Sequence, residues 1–283
     1  MPRRVADGLL LVDKPSGITS HDAVNEVRRA LGVRKVGHAG TLDPMASGLL
    51  LMGVGRATRL LRFLGDLEKE YEGTGRLGTE TDTLDALGRV VRTSAVDVAE
   101  DQLRTVMADL VGEIEQRPPA YSAVKVGGRK LYEAARMGKP VEAPARRVVV
   151  SRFDLLRLAG TDFDFLAICS GGTYVRVLVA DVGERLGCGA HLARLVRTRI
   201  GPFELNHALP PGEPGAPMSV ERSVAHLPRL DLDAEEARAA QHGRPLGPAG
   251  IEGPYAVFDP ESRLIGIYRD EGARARPDVI LSR

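Results

Sequence analysis

A chain of 283 residues, 43% hydrophobic and 27% charged, has the make-up of a globular protein with one large domain, or one large and one small. No stretch approaches the roughly 18 uninterrupted apolar residues of a membrane helix, and no apolar run with a cleavage site follows the basic start Met1–Arg4, so neither membrane insertion nor secretion is expected. Two cysteines, Cys169 and Cys188, exclude a disulfide scaffold and a four-cysteine zinc site, and 39 basic against 38 acidic side chains leave a net charge of +1.

In chain order, Gly8–Val12 reads as a strand ending at Lys14-Pro15. Thr19–Leu31 reads as a helix, with Thr19 and Asp22 as a capping box, an apolar stripe from Ala23, Val27, Ala30 and Leu31, and Gly32 as its stop. Gly37–Gly48 reads as a long loop, and Leu49–Val54 as a second apolar strand followed by a short helix over Ala57–Phe63. Glu70–Leu77 reads as a strand and Asp97–Leu110 as a helix capped by Asp97 and Glu100, with Leu103, Val106, Met107 and Leu110 on one face. A short helix is expected over Lys130–Met137, an antiparallel strand pair over Val148–Leu158 and Phe163–Cys169, and a helix over Val175–Leu186. Beyond the Pro- and Gly-rich Ala208–Pro217, a helix at Ala234–Gln241 and strands at Tyr255–Phe258 and Leu264–Tyr268 close the chain.

Strands and helices mix without regular β-α-β alternation. The expected fold is therefore α+β, with a mixed, mostly antiparallel central sheet flanked by helices and loops. The domain reading is 1–228 for the main body and 229–283 for a small β-rich tail. No dinucleotide glycine fingerprint and no phosphate loop follows any strand. Charge is segregated. Arg117–Arg157 holds ten basic residues against three acids, Arg185–Arg199 holds four arginines and no acid, and Glu80–Glu113 holds eight acids against three arginines. Such segregation suits a basic face toward phosphates, or scattered solvated surface. Glu80, Asp82 and Asp85 miss the calcium-loop pattern, so loop hydrogen bonding is expected of them and no metal site.

The least ordinary stretch is Gly37–Gly48, where Asp43 precedes Pro44. An ordered loop this long is often functional. Asp43 is either the opening residue of a turn with proline at its second position or a carboxylate held stiffly for chemistry. At this point the sequence resembles the TruB family of tRNA pseudouridine synthases. The motifs are Asp13–His21, the stretch around Asp43, Lys69-Glu70-Tyr71 leading into Leu77–Asp85, Pro118–Lys125, and Gly172–Arg176, in one colinear order from about Gly8 to Phe203. The tail resembles the small PUA-like domain of bacterial members only weakly.

The resemblance implies that uridine-55 in the T loop of tRNA is converted to pseudouridine, an isomerisation that needs no cofactor and no metal. It assigns Asp43 as the catalytic aspartate, Arg176 as its arginine partner and Tyr71 as the tyrosine that stacks on the target base. A carboxylate beside an arginine is expected to have its pKa lowered by ~1–3 units. Tyr174, on the same side as Arg176 if the chain is extended there, is pocket wall, phosphate contact or packing. The target base has to be extruded from the T loop. His38 matches the residue that props the vacated space, Lys14 a lysine near the site, and Leu195 an apolar pocket residue. Lys125, Arg129 and the basic segment to Arg157, with Arg194, Arg197 and Arg199, form the expected phosphate-tracking face. The expected partner is the tRNA T stem-loop, with no membrane, no required protein partner, a monomer and a cytoplasmic location. The alternatives are a guide-RNA-dependent synthase, disfavoured by the short tail without a lysine-rich run, and a tRNA-binding or folding factor.

Overall fold

A computed structural model describes residues 6–122, 124–131, 134, 137 and 141–281. The strands are β1 (Gly8–Lys14), β2 (Val36–Ala39), β3 (Ser47–Val54), β4 (Lys69–Leu77), β5 (Thr79–Thr81), β6 (Val90–Thr93), β7 (Gly112–Gln116), β8 (Lys125–Val126), β9 (Arg129–Lys130), β10 (Arg146–Ala159), β11 (Asp162–Cys169), β12 (Ala190–Ile200), β13 (Phe203–Glu204), β14 (Arg229–Asp231), β15 (Pro254–Phe258), β16 (Leu264–Glu271) and β17 (Arg274–Ile280). The helices used below are α1 (Ser20–Leu31), α2 (Arg62–Gly65), α3 (Glu100–Ala108), α4 (Val175–Arg185), α5 (Val220–Ser223) and α6 (Ala234–Gln241). The helix expected over Lys130–Met137 falls for the most part outside the described residues.

Among the described residues, nine strands form one sheet in the order β1-β3-β12-β4-β11-β10-β7, with β2 on β3 and β13 on β12. Every pairing is antiparallel except β12 with β3, so the sheet is mixed and mostly antiparallel, and the fold is α+β. The single parallel contact matters for the site. It sets Arg197 beside Gly48, at the end of the Asp43 loop.

Side-chain alternation explains the faces. On β4 the pattern is buried at Lys69, Tyr71, Gly73, Gly75 and Leu77, which is the period of two expected of a strand. Gly73 and Gly75 are glycines because a Cβ there would lie 2.4 and 2.3 Å from the rings of Phe165 and Phe163. Those rings join the main core, covered by Leu103 and Met107 of α3 and Leu178, Val179 and Val182 of α4. α1 packs Ala23, Val24 and Val27 onto Leu10, Val12, Leu50 and Met52. Its capping box is the one read from sequence: Thr19 Oγ1 accepts from Asp22 N at 3.1 Å, and Thr19 N donates to Asp22 Oδ2 at 2.9 Å. Gly32 closes it at φ +66°.

Two local expectations are corrected. The loop predicted from Gly37 begins at Gly40, because Gly37 and His38 pair with Gly53 and Met52 of β3. The helix predicted from Asp97 begins at Glu100, with Gln102 Oε1 accepting from Ala99 N at 2.9 Å, so Asp97 is not its cap.

The tail forms a second sheet, β14-β15-β16-β17. One side is covered by α6 through Ala237 and Ala240. The other packs Ala256, Phe258, Leu264, Ile267, Val279 and Leu281 against Leu60 and Val224. Arg56 and Arg59 donate to the carbonyls of Leu281 and Ile280.

Candidate active site

Asp43 sits on a seven-residue connection between β2 and β3 that is tied down from three sides. From the β1–α1 junction, Ser20 Oγ accepts from Leu42 N at 2.9 Å and donates to Leu42 O at 3.0 Å. Gly17 N donates to Pro44 O at 2.8 Å and Ser16 Oγ to Met45 O at 3.0 Å. Within the loop, Ala46 N donates to Asp43 O at 3.1 Å, the turn expected of Asp-Pro. From β12, the fully buried Arg197 reaches both stems, Nε donating to Leu49 O at 2.7 Å and Nη2 to Gly40 O at 3.0 Å. Gly48 is required where the loop rejoins the sheet. Its φ is +101°, and a Cβ would lie 2.4 Å from the Arg197 carbonyl oxygen.

The loop forms one wall of a cleft of about 310 Å3 whose lining includes Asp43, Tyr71, Tyr174, Arg176, Leu195 and Arg197. Positions far apart in the sequence thus line one cleft. Lys69, Ser122, Arg146 and Leu192 line it as well. Arg176, buried at 3% exposure, places Nε 3.3 Å from Asp43 Oδ2 and Nη1 3.8 Å from Asp85 Oδ2. Its fork is held by backbone: Nη1 donates to Thr83 O at 3.1 Å and Nη2 to Tyr121 O at 2.7 Å. Asp85 is itself fixed, accepting from Thr83 Oγ1 at 2.6 Å and Leu87 N at 3.0 Å.

The electrostatics differ from the simple aspartate–arginine expectation. Burial pushes the Asp43 carboxyl up from its ordinary value, and Asp85 adds to the rise; Arg176 and Lys14 oppose it without reversing it. Tyr71 is pushed up by burial, against the pull of Arg197, so its phenol stays neutral. Lys14 lies beneath the loop, fully buried, with Nζ donating to Pro15 O at 2.9 Å and Ile18 O at 2.8 Å. Burial pulls its pKa down to about 8, although Asp43 pulls it up. Lys69 is likewise lowered to about 8 by burial, and donates to Gly65 O and Leu67 O at 2.7 Å each.

Tyr174 and Arg176 do not share a side through an extended chain, because α4 starts at Val175 and Tyr174 is its N-cap. Gln116 grips that cap, Oε1 accepting from Tyr174 N at 2.7 Å and Nε2 donating to Tyr174 O at 3.1 Å. The Tyr174 ring has the Arg146 guanidinium carbon 4.8 Å from its centroid and that of Arg176 at 5.7 Å.

Other expected residues fall elsewhere. Arg197, expected on a phosphate-tracking face, is 1% exposed and faces inward, because the alternation of a central strand turns it toward the loop. Arg194 is exposed, and Arg199 pairs with Glu70 at 3.4 Å. His38 stands on β2 outside the cleft lining, its Nδ1 without a hydrogen-bond partner and its pKa lowered by burial and by Arg197. The side chains of Lys125 and Arg129 lie outside the described residues. Arg146 falls within the basic segment read as the phosphate-tracking face, where nothing in the sequence singled it out. Sequence reasoning missed Gln116 and Ser122, although Ser122 lies inside a quoted motif. Among the described residues no cluster of three or more His, Cys, Asp or Glu could hold a metal ion. No helix there is long and apolar enough to cross a membrane.

Comparison with known proteins gives the family. The model of the TruB family pseudouridylate synthase N-terminal domain matches residues 28–175. That of the tRNA pseudouridylate synthase B C-terminal domain matches 176–210, and that of the tRNA pseudouridine synthase II C-terminal region matches 227–281. The chain is 47% identical to the tRNA pseudouridine synthase B of Mycobacterium sp. (strain KMS), covering 98% of this chain and 97% of that protein. It is 46% identical to the Aromatoleum aromaticum protein of the same name, over 95% and 91%. Among solved structures, a Cbf5-Nop10-Gar1 complex matches with TM-score 0.74 and 27% identity, over 96% of this chain and 84% of that one. An H/ACA RNP bound to a substrate RNA containing 2′-deoxyuridine matches with TM-score 0.73 and 25% identity, over 98% and 85%.

Proposed function

The chain belongs to the TruB family of pseudouridine synthases, and from that premise we propose that it isomerises uridine-55 in the T loop of tRNA to pseudouridine, with Asp43 as the catalytic residue. The observation that carries this reading is the convergence of Asp43, Tyr71 and Arg176 on one cleft, with the carboxylate 3.3 Å from a buried guanidinium.

The N1–C1′ bond breaks, the uracil turns, C5 bonds to C1′, the proton from C5 leaves to water and N1 takes up a proton. Asp43 acts in its ionised form, as nucleophile or as base toward a ribose proton. Arg176 and Lys14 favour that form against burial and against Asp85. The neutral phenol ring of Tyr71 offers a face for the extruded uracil without adding charge beside Asp43, and Leu195 supplies apolar wall. Extrusion costs a few kcal/mol, which contacts to the rest of the T stem-loop offset. His38, on the strand entering the Asp43 loop, is the candidate prop for the vacated space. Residues 1–228 form the catalytic unit in this reading and 229–283 a small PUA-like appendage, in a monomeric cytoplasmic enzyme that takes free tRNA.

The test is tritium release from an unmodified T stem-loop labelled at uridine C5. Release of about one equivalent per RNA is expected, without guide RNA, and none from Asp43→Asn despite near-normal RNA binding. Tight binding with no release would instead favour guide-dependent targeting, as in H/ACA particles, or a binding factor.

A further inference from the structure

The cleft is ringed by cations, yet almost all have their donors committed inside the protein. Lys69 Nζ donates to two carbonyls. Arg197 donates to two more, from Nε and Nη2. Arg176 donates to the carbonyls of Thr83 and Tyr121 and faces Asp43. Arg146 is different. It is only partly buried and makes no ion pair among the described residues; its Nε, like that of Arg176, is buried without a hydrogen-bond partner, but whereas Arg176 Nε faces Asp43, no described carboxylate pairs with Arg146. Its one hydrogen bond there runs from Nη2 to Gly172 O.

The guanidinium is nonetheless held in place. The Tyr174 ring lies against it with 4.8 Å from Cζ to the centroid. On the Gly172 side, a Cβ built on that residue would meet Cζ at 3.5 Å. A planar fork fixed by an aromatic face and a main-chain carbonyl keeps its other donors pointed in set directions. That is the arrangement in which arginine outperforms lysine as a phosphate ligand. A base entering the cleft brings its own phosphodiester to the rim, where an exposed cation is needed and a buried one is of no use.

We propose that Arg146 is the binding residue for a backbone phosphate flanking the target uridine, distinct from the buried arginines that organise the cleft. The proposal rests on the synthase reading above. The stack on Tyr174 makes that tyrosine a platform for the guanidinium as well as cleft wall.

The test is a chemical double-mutant cycle on binding. Wild-type and Arg146→Met proteins are titrated, over a range of salt, with a T stem-loop and with the same RNA carrying one neutral methylphosphonate linkage. The linkage is placed 5′ or 3′ of the target uridine, with a 2′-O-methyl sugar at that step in all RNAs. Arg146→Met is expected to bind about tenfold more weakly, with a log–log salt slope shallower by about one. One of the two neutral linkages is expected to weaken the wild type by a similar factor and the variant hardly at all. Equal weakening of both proteins, or no effect of either linkage on the wild type, overturns the proposal. The wild-type arm needs no substitution, so it decides even if Arg146→Met unfolds. Tritium release by the wild type on the unmodified RNA separates the two readings. Active enzyme without coupling sinks only the Arg146 assignment, whereas absent turnover sinks the synthase reading beneath it.

Discussion

Strands β10 and β12 are both arginine-rich, and the arginines do different work. β12 lies between β3 and β4 in the middle of the sheet, and β10 lies one strand from its edge. On β12, Arg197 turns inward and joins the two stems of the Asp43 loop through Leu49 O and Gly40 O. On β10, the exposed Arg147, Arg152 and Arg157 turn outward and pair with Glu113, Asp154 and Asp164. A cation count along the chain cannot separate these cases. Side-chain direction does: on β12 Arg194 points to solvent while Arg197 points into the protein, where a charge persists only if backbone carbonyls receive its donors.

The sharpest way to break the comparison is Arg197→Met. It leaves the Leu49 and Gly40 carbonyls without their partner and frees both ends of the loop that carries Asp43. A loss of about 2–5 kcal/mol in stability is expected, since each orphaned buried acceptor costs ~1–3 kcal/mol. Turnover should fall on the order of a hundredfold if the carboxylate shifts by ~1 Å. Thermal unfolding and tritium release measure the two effects. Arg197→Lys should recover little, because a single donor atom does not reproduce the separate Nε and Nη2 positions that reach Leu49 O and Gly40 O. Near-wild-type behaviour of either variant would show that the inward arginine is dispensable.

Gly48→Ala probes the same junction from the other strand. A Cβ 2.4 Å from the Arg197 carbonyl oxygen, at φ +101°, forces the β3–β12 contact apart. The expected cost is about 1–3 kcal/mol, read from a denaturant midpoint, with turnover falling alongside.

A third test asks how completely the inward cations compensate Asp43. Its carboxyl pKa is raised in the folded protein, mainly by burial. The folded state therefore binds that proton more tightly than the unfolded chain. Stability is lost as pH rises from the ordinary aspartate value through the raised one. Asp43→Asn, which mimics the protonated form, should then equal or exceed the wild type in stability at pH 7. The difference should shrink toward acid, while the wild-type activity profile shows an acid limb above the usual aspartate range. A variant less stable than wild type at pH 7 would mean that Arg176 and Lys14 outweigh burial after all.

Most elements were legible because each carried a local signal. The capping box Thr19/Asp22 with Gly32 fixed α1, and the alternation around Ala159–Asp162 fixed the β10–β11 hairpin. β17 was not legible, since Arg274, Arg276, Pro277 and Asp278 interrupt its apolar pattern and only pairing with β16 makes it a strand. In the site, the residues meeting in one cleft came from the resemblance, and the geometry places Asp43, Tyr71, Tyr174, Arg176 and Leu195 there together. What sequence could not give was direction: that Arg197 faces in, that Arg146 sits on the rim against Tyr174, and that burial outweighs Arg176 at Asp43. Each depends on neighbours distant in the chain, 148 and 157 residues away for Arg197 and 26 for Arg146, or on the desolvation such neighbours impose.

The smallest effect is expected on the outward side. Arg152 and Asp154 are 53% and 42% exposed, and Arg157 is 67% exposed beside Asp164. Water screens the arginine of each pair, and holding a long side chain in one geometry costs entropy, so pairs of this kind contribute ~0–1 kcal/mol. Arg152→Ala and Arg157→Ala should therefore shift the unfolding midpoint by a degree or two at most, and less at high salt. Their effect on RNA affinity separates two uses of an outward arginine. If either tracks phosphate, its loss lowers the salt slope of binding by about one without changing stability. If each merely solvates the sheet, neither quantity moves, and Arg146, gripped by Tyr174 and Gly172, stands apart as the β10 arginine with a ligand. A drop in stability as large as that for Arg197→Met would erase the distinction between the two strands.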